Sequence, residues 1–426
     1  MAAFSRVACS RWPERTHDGC RASWLLSTPP SSGELVETAV SYTHHIYSSM
    51  AEVDLQAWEA VRAAEGEIFT DPRFISAVEA AMGADTRCWP VLVRDEMEQP
   101  VAVTCLSLYR VDGALLTGPR LKRIVQAIRR AWSGYLFFRI LFCGLPVSAG
   151  QTPICFAPQA DPGKATEAIE AAVSELATRF RVRLIVWREF SPDDCQWLAP
   201  LEDRGYIRAD SLPMCHFEPR FADFDEYCGA LRWKLRYNIL RSRRKLEEAG
   251  LRIVRMHGDE GFDRLYTETS HELYEAVRDR SAFQLERLPA EFFREIARRL
   301  GKDARFSLVF RETKIVAFLC SLADRRQFHL LFLGMDYSVN AECDLYFNVM
   351  YDGLDWALRS GVNDICVGQT SYAFKGRLGC RFAPRVFFIK GTGLLRWPLR
   401  LFAGVLFRLP PMPSPPRVFR TGESGE

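Results

Sequence analysis

The sequence predicts a mixed α/β protein, most clearly in the stretch between residues 328 and 381. Residues 328–333 (FHLLFL) form an apolar run of strand length, which a glycine and an aspartate then interrupt. Across residues 344–359 the apolar side chains recur at the spacing of a single helix face. A second run of strand length follows at residues 364–367, so that strand, helix and strand succeed one another along the chain.

The same alternation of helices and strands is predicted upstream. Helices are expected at residues 55–64, 71–82, 162–179, 192–204, 224–249, 261–277 and 289–301. Strands are expected at residues 88–94, 101–109, 184–188, 214–217, 251–256, 306–311 and 314–323. The two halves share an order of elements but no sequence repeat, which predicts two tandem domains of similar architecture.

The predicted segments divide the chain into four parts. Residues 1–50 mix Arg, Ser, Pro and Cys without periodicity and lack the apolar centre of a secretory signal, which predicts a disordered tail. A transit-peptide-like leader and a later start at Met50 are the alternatives. We expect one domain at residues 51–222 and a second, catalytic one at 223–392, followed by an amphipathic segment and tail at 393–426.

Composition sets the outer bounds. A chain of 426 residues with 48% hydrophobic residues can build two cores. A net charge of only +3 gives no global field that would attract nucleic acid, and no nucleic-acid partner is expected. The 13 cysteines show neither C-x-x-C pairs nor zinc spacing, which indicates a reducing, cytoplasmic compartment and no metal site.

Two amphipathic segments stand apart from the predicted domains. Residues 121–142, within an insertion at 120–143, carry apolar and basic side chains on opposite faces, and residues 394–410 are apolar with spaced arginines. Neither is a charge-free span of about 20 residues, so neither is predicted to cross a bilayer. Both fit helices in a membrane interface, which predicts peripheral contact with the cytoplasmic face of the inner membrane. The alternative is a surface insertion and a helix that docks into the core.

A basic stretch lies between residues 232 and 245, where seven Lys and Arg residues fall within 14 positions. No helix-turn-helix, zinc finger or RNA-binding motif accompanies it. We expect Lys234 and Arg236 to face a phosphate of a cofactor, lipid headgroup or sugar nucleotide. A solvated charged face and a nucleic-acid-binding surface are the alternatives.

Two blocks of the sequence carry a resemblance to a known family. Residues 345–381 (LYFNVMYDGLDWALRSGVNDICVGQTSYAFKGRLGCR) resemble the C-terminal half of the GNAT acyltransferase fold. Residues 224–255 resemble the basic helix that opens the second domain in the Fem-related, BioF-like "acetyltransferase 6" branch. The resemblance spans residues 58–391 and implies two tandem GNAT-like acyl-CoA N-acyltransferase domains. The glycine-rich pyrophosphate loop of ordinary GNAT enzymes is missing after Leu333, which leaves acyl-CoA and aminoacyl-tRNA open as donors.

The resemblance places the thioester between the strands at residues 328–333 and 364–367. Acyl transfer to an amine requires a base, a donor for the carbonyl oxygen and a proton for the leaving thiolate. The candidate bases are Asp336, Glu342, Asp344 and His329. The alternatives are that the acidic residues cap a helix and that the histidine is a core residue.

The remaining candidate site residues fall into three sets. Tyr346 and Tyr372 are candidates to protonate the thiolate, unless they are core aromatics. The predicted cofactor-binding residues are Gly334, Met335, Gln369, Ser371 and Lys375, the last of which is either a phosphate ligand or a surface charge. Glu275 and Arg278 lie in a stretch that, by the resemblance, lines the acceptor cleft; a surface salt-bridge ladder is the alternative.

The predicted function is N-acyl transfer from acyl-CoA to an amine by direct attack on the thioester, without a tightly bound cofactor. The amphipathic segments favour a lipid amine such as a sphingoid base, since bacterial ceramide synthases are GNAT-like proteins of this type. The alternatives are Fem-like, aminoacyl-tRNA-dependent transfer to a peptidoglycan or cell-envelope precursor, and a non-catalytic basic scaffold or nucleic-acid-binding protein.

Overall fold

The computed structural model describes residues 42–63, 66–83, 86–112, 125, 127–130, 137–147, 150–281 and 287–420. Within these ranges the strands are β1 Thr43–Ile46, β2 Thr86–Arg94, β3 Pro100–Asp112, β4 Phe137–Cys143, β5 Ile154–Phe156, β6 Leu184–Phe190, β7 Ile207–Phe217, β8 Leu251–His257, β9 Ala304–Arg311, β10 Lys314–Ala323, β11 Gln327–Met335, β12 Asp364–Gly368 and β13 Arg381–Gly391. The helices are α1 Leu55–Arg62, α2 Pro72–Met82, α3 Pro162–Arg179, α4 Cys195–Leu198, α5 Pro200–Asp203, α6 Phe224–Ala230, α7 Trp233–Glu248, α8 Phe262–Leu265, α9 Glu268–Arg280, α10 Ala290–Leu300, α11 Tyr337–Cys343, α12 Leu345–Leu358, α13 Tyr372–Leu378 and α14 Arg396–Leu406.

These strands form one mixed sheet that runs through both halves of the chain. Its order is β1-β2-β3-β4-β6-β13-β7-β12-β11-β10-β9-β8, and β5 pairs with β3 beside this path. Strand β7 of the first half pairs with β12 of the second, and β13 of the second half pairs with β6 of the first. Each half therefore gives its last strand to the other, and β7 and β13 pair with each other at the exchange.

The sheet is covered on both faces. Along β10, Phe318 and Cys320 belong to one buried cluster, whereas Ala317 and Leu319 belong to another, as the alternation of side chains along a strand requires. The first cluster also contains residues of the first half, and the rings of Phe74 on α2 and Phe292 on α10 lie 6.5 Å apart, edge to face. The two halves thus share a continuous core on one face of the sheet.

The strand–helix–strand unit predicted at the centre of the second half is confirmed. The predicted strand at 328–333 lies within β11, the predicted helix at 344–359 is α12 Leu345–Leu358, and the strand at 364–367 lies within β12. The sequence predicts α12 because its apolar side chains recur at helical spacing, and these side chains form the face that the helix buries. The predicted mixed α/β fold class is confirmed with them.

The long basic helix predicted at residues 224–249 is instead two helices, α6 and α7. Leu231 adopts extended dihedral angles (φ −68°, ψ 149°) and pairs with Phe419 in an isolated bridge. The bridge holds the chain extended at that point, so α6 ends at Ala230 and α7 begins at Trp233. Because Phe419 is far from Leu231 in the sequence, the residues around Leu231 do not indicate that the helix ends there.

The prediction of an amphipathic helix at residues 121–142 is wrong for the last part of that range. Phe137–Cys143 is strand β4, which pairs with β3 on one side and with β6 on the other. The aromatic and aliphatic residues of this stretch favour a strand once two partners are present. Residues 127–130 include helical turns, and most of the remaining insertion lies outside the described residues.

Two described elements lie earlier in the chain than the sequence predicts. Strand β1 (Thr43–Ile46) pairs antiparallel with β2, and the side chain of Met50 is 2% exposed. These residues lie within the predicted tail at 1–50, of which residues 1–41 are outside the described ranges. The division between domains at residue 222 remains a prediction, and the strands of both predicted domains lie in one sheet.

Candidate active site

A cleft opens where the parallel strands β11 and β12 diverge. Their register contains three pairs, Gln327–Asp364, Phe328–Ile365 and His329–Cys366, after which β11 continues along β10 without β12. The space between the two strands widens into a cleft of about 700 Å³. The other parallel pair, β4 and β6, stays in register up to Cys143, the last residue of β4.

Most of the cleft wall is apolar. Strands β11 and β12 contribute leucines and a valine, α12 contributes Phe347 and Met350, and the exchanged strand β7 contributes Leu212. The apolar side chains that line the cleft are Leu212, Val277, Leu319, Leu330, Leu331, Leu333, Met335, Phe347, Met350 and Val367. Such a surface is suited to a hydrocarbon chain.

Seven of the residues singled out in the sequence meet in this cleft. They come from three segments: the end of β11, the start of α12, and the loop after β12 together with the helix α13 that it leads into. The seven are Met335, Asp344, Tyr346, Gln369, Ser371, Tyr372 and Lys375. Polar groups therefore gather at one part of an otherwise apolar cleft, as in a small-molecule binding site.

Asp344 occupies a strained position between α11 and α12. Its φ of +54° places a non-glycine residue in the left-handed region, and its side chain does not cap α12. One carboxylate oxygen lies 3.1 Å from Nζ of Lys245 on the basic helix α7. The contacts of Asp344 therefore do not match the alternative that it only caps the helix. Its side chain is partly exposed, and the residue lines the cleft.

Tyr346, in the first turn of α12, lies next to the β12–α13 loop. Its backbone N–H donates to Oδ1 of Asn340 over 2.8 Å, and its phenol interacts with the Ser371 side chain. Burial raises the pKa of Tyr346 above its ordinary value, so the hydroxyl keeps its proton at neutral pH. The phenol is accordingly a proton donor.

The loop between β12 and α13 is strained. Gly368, Thr370 and Ser371 all have positive φ, at 79°, 64° and 49°. For a β-branched residue such as Thr370 this conformation is an outlier that the surrounding structure must enforce. The loop is held by Gln369, whose side-chain amide donates to the carbonyl of Leu212 over 2.7 Å.

Lys375 lies beneath this loop and is almost fully buried, with 5% of its surface exposed. Its Nζ donates a hydrogen bond to the carbonyl of Gln369. Burial lowers the pKa of Lys375 from its ordinary value, while the thiols of Cys215, Cys380 and Cys366 act in the opposite direction. Lys375 is therefore not a surface charge, and its amine lies at the wall of the cleft.

Tyr372 is tied to the exchanged strand. Its hydroxyl donates to the carbonyl of Pro213 over 2.9 Å, and its ring packs edge-on against Phe382 of β13. Burial raises the pKa of Tyr372 to about 12. Since its proton is already committed to a backbone carbonyl, Tyr346 is the better placed of the two tyrosines to donate to a substrate.

Four of the predicted residues near β11 lie outside the cleft lining. His329 is fully buried, with Nε2 3.1 Å from Nε2 of Gln151 in the first half of the chain. Asp336 caps α11 by accepting from the N–H and hydroxyl of Ser338, and the Ser338 bond holds its pKa below the usual range. Glu342 pairs with Arg311 over 2.8 Å. Gly334 lies where a Cβ would meet Phe318 and the backbone of α9.

The predicted acceptor residues also lie outside the cleft lining. Glu275 pairs with Arg278 (3.1 Å) and Arg287 (2.6 Å), which matches the salt-bridge alternative. Arg280, two residues after Arg278 on α9, does line the cleft, and its guanidinium stacks 3.5 Å from the ring centre of Tyr337. Lys234 and Arg236 are exposed on α7, and Arg236 lines a separate cavity.

A segment that the sequence did not single out for the site closes one side of the cleft. Residues 410–413 (PPMP), which follow α14, line it together with β11 and α13. We call residues 410–420 the C-terminal strap. Its far end is fixed by the Leu231–Phe419 bridge and by packing of Phe419 against Phe221. A proline-rich run has no periodicity that would reveal such a contact.

Two findings concern the wider surroundings of the site. In the described part of the chain, no helix is both long enough and apolar enough to span a bilayer. Among the same residues, no group of His, Cys, Asp and Glu side chains is arranged to hold a metal ion.

A mixed sheet with a splayed parallel pair, with α12 and α13 beside the cleft, is the arrangement of the GNAT fold. Residues 234–376 match the sequence model of the acetyltransferase (GNAT) domain. The protein is a GNAT-type acyltransferase, as predicted, and acyl-CoA is the co-substrate of that family.

Comparison with solved structures confirms the fold. One similar structure is the C-terminal domain of a protein assigned as a lysylphosphatidylglycerol synthetase from Agrobacterium fabrum (TM-score 0.51, 12% identity, 84% of this chain and 98% of that one). Another is FemX (TM-score 0.51, 11% identity, 83% of this chain and 98% of that one). No curated protein sequence matches the chain.

Proposed function

We propose that the protein forms an amide by moving a long acyl group from acyl-CoA to the amine of a single-chain membrane lipid such as a sphingoid base. The observation that carries this proposal is the continuity between the apolar cleft and an exposed apolar helix. The C-terminal strap that walls the cleft begins four residues after α14 ends at Leu406.

Helix α14 presents its apolar side chains to solvent. Trp397, Leu401 and Val405 are 74%, 76% and 78% exposed, and these residues recur at i, i+4 and i+8. An exposed apolar stripe flanked by Arg396 and Arg400 suits the interface of a bilayer. Because four residues span at most about 14 Å, a bilayer bound to α14 would lie close to the cleft. A lipid amine would then reach the thioester without crossing water.

The site residues can be given roles in this reaction. The lipid amine attacks the thioester carbonyl, the C–N bond forms, and the C–S bond breaks. Asp344 accepts the amine proton, and Tyr346 gives its proton to the leaving thiolate. Lys375 has N–H groups beyond the one bonded to Gln369, and these donate to the oxyanion.

Aminoacyl transfer of the Fem type is the second candidate, and one observation favours it. The carboxylate of Asp336 occupies the N-terminus of α11, directly after β11, where ordinary GNAT enzymes receive the pyrophosphate of the cofactor. A second anion at that position would be repelled. The two similar structures, FemX and the C-terminal domain of a protein assigned as a lysylphosphatidylglycerol synthetase, agree with this candidate. A scaffold without activity would bind neither donor.

Thermal unfolding with each donor separates these candidates. We expect palmitoyl-CoA to stabilise the purified protein more than acetyl-CoA or CoA, and anionic vesicles to increase the effect. At a hundredfold excess over its dissociation constant a ligand adds about 2.7 kcal/mol to the free energy of unfolding. Stabilisation by aminoacyl-tRNA alone would favour the second candidate, and no stabilisation by either donor would contradict both.

A further inference from the structure

A second cavity, separate from the cleft, is lined by four arginines. It measures about 540 Å³ and lies between the start of α7 and the end of the C-terminal strap. Arg232 and Arg236 come from the helix side, and Arg417 and Arg420 come from the strap. All four residues are exposed, and none of the described residues that line the cavity is acidic.

The cavity has a fixed framework. The backbone N–H of Arg232 donates to the carbonyl of Val418 over 3.0 Å, and that of Arg420 donates to the carbonyl of Ala230 over 3.1 Å. Phe419 anchors the strap between them, packed on Phe221. The four arginines therefore extend from a fixed backbone around one cavity. The guanidinium groups of Arg232 and Arg420 donate to the carbonyls of Arg417 and Leu231, and no carboxylate within the described ranges pairs with any of the four. Such a cluster recognises phosphate.

An apolar stripe on α7 adjoins the cavity. Trp233, Tyr237 and Leu240 are 78%, 58% and 43% exposed, and their spacing places them on one face of the helix. The exposed Lys234 and Arg241 flank that face. Aromatic side chains, an aliphatic side chain and cationic residues together are typical of a helix in the headgroup region of a bilayer.

We propose that the arginine cavity and the exposed stripe of α7 together form a docking surface for a bilayer that contains anionic phospholipid, with a lipid phosphate in the cavity. Charge complementarity indicates an anionic partner, since the four arginines have no acidic neighbour among the described residues that line the cavity. The exposed Leu240 favours a bilayer over RNA, because an aliphatic side chain gains nothing from a nucleic-acid backbone. The proposal does not depend on which amine the enzyme acylates.

Co-sedimentation with vesicles tests the docking surface. The full chain is mixed with phosphatidylcholine vesicles that contain or lack phosphatidylglycerol, and binding is compared between the unmodified protein and the Arg236→Ala/Arg417→Ala variant. Each arginine near an anionic surface contributes a factor of about five, so the double variant should bind about 25-fold more weakly. Trp233→Ala should weaken binding as well. Arg325→Ala, in the exposed turn before β11, is the matched control and should bind normally.

Three results would overturn the proposal. One is equal vesicle binding by the double variant and the control, with both folded as judged by their melting temperatures. Another is RNA binding that depends on the same two arginines without any vesicle binding. The last is a loss of CoA affinity in the double variant with unchanged vesicle affinity, which would place the phosphates of the cofactor in the cavity.

Discussion

His329 and Cys366 form the last pair of the parallel β11–β12 ladder, and the cleft opens directly beyond them. His329 is fully buried on the side of the shared core, next to Gln151 of the first half. His329, one of the four candidate bases of the sequence analysis, thus lies where the two strands are still joined. The residues that face the cleft come after it on both strands.

Filling the cleft should shorten the acyl chain that it accepts. Leu333 lines the cleft on β11 and is partly buried, so Leu333→Trp places a larger ring in the apolar part of the cleft. We expect the catalytic efficiency with palmitoyl-CoA to fall at least tenfold and that with acetyl-CoA to change little, as measured by thiol release. Leu265→Trp, at an exposed residue of α8, is the control. An equal loss with both thioesters would indicate misfolding or a different acyl site.

Replacing Lys375 should separate activity from stability. Lys375→Met keeps a linear chain of similar length but removes a buried amine that donates to Gln369. Because a buried cationic group is costly, we expect the melting temperature to rise. Turnover should fall about 100-fold or more, since the oxyanion loses its donor. A variant that is stabilised and still fully active would show that Lys375 has no part in the reaction.

The same substitution has a signature in the pH dependence of stability. Burial lowers the pKa of Lys375 below the 10.5 of an ordinary lysine, so between the lowered value and 10.5 the unfolded chain binds a proton that the folded chain does not. Lys375 therefore contributes stability that rises with pH through that window. The difference in free energy of unfolding between Lys375→Met and the unmodified protein should shrink as pH increases towards 10.5. A difference that does not change with pH would mean that folding does not lower the pKa of Lys375.

The two cleft tyrosines should respond differently to loss of their hydroxyl groups. Tyr346→Phe removes the proposed proton donor and should lower turnover about 100-fold or more. Tyr372→Phe removes a hydrogen bond to Pro213, which should lower the free energy of unfolding by about 1 kcal/mol and turnover by less than tenfold. Denaturant unfolding and thiol release measure the two effects. The reverse pattern would exchange the roles of the two residues.

The strained loop after β12 offers a further test. Thr370 has a φ of +64°, which glycine adopts without strain. Thr370→Gly should therefore leave the free energy of unfolding unchanged or raise it by up to about 1 kcal/mol, while turnover falls because the loop over Lys375 loosens. Thr313→Gly, at an exposed threonine without positive φ, should cost about 0.5–1 kcal/mol. A larger cost at Thr370 would contradict the assignment of strain.

The sequence was sufficient where short-range pattern determines structure. The apolar spacing of residues 344–359 predicts α12, and the flanking apolar runs predict β11 and β12, which together frame the cleft. Tyr346 lies in the first turn of α12, and Gln369 and Lys375 follow β12, so the predicted elements bring these three residues to the lining of the cleft. The burial of Lys375 was not predictable, since a lysine usually marks the surface.

What the sequence did not reveal depends on contacts between distant segments. The exchange of β7 and β13 joins residues far apart in the chain, and β13 has a proline in its interior that argues against a strand. The break at Leu231 requires Phe419, and the wall formed by residues 410–413 requires the whole path of the strap. No local periodicity encodes such pairings.

Detection of the acylated product tests the central claim most directly. The full chain is incubated with palmitoyl-CoA, a sphingoid base and vesicles that contain phosphatidylglycerol, and the lipid extract is analysed by mass spectrometry. We predict an N-palmitoyl amide in amounts equal to the free thiol released, and its loss in Lys375→Met. Product only with an aminoacyl-tRNA donor, or thiol release without an amide, would contradict acyl transfer to a lipid amine in the cleft between β11 and β12.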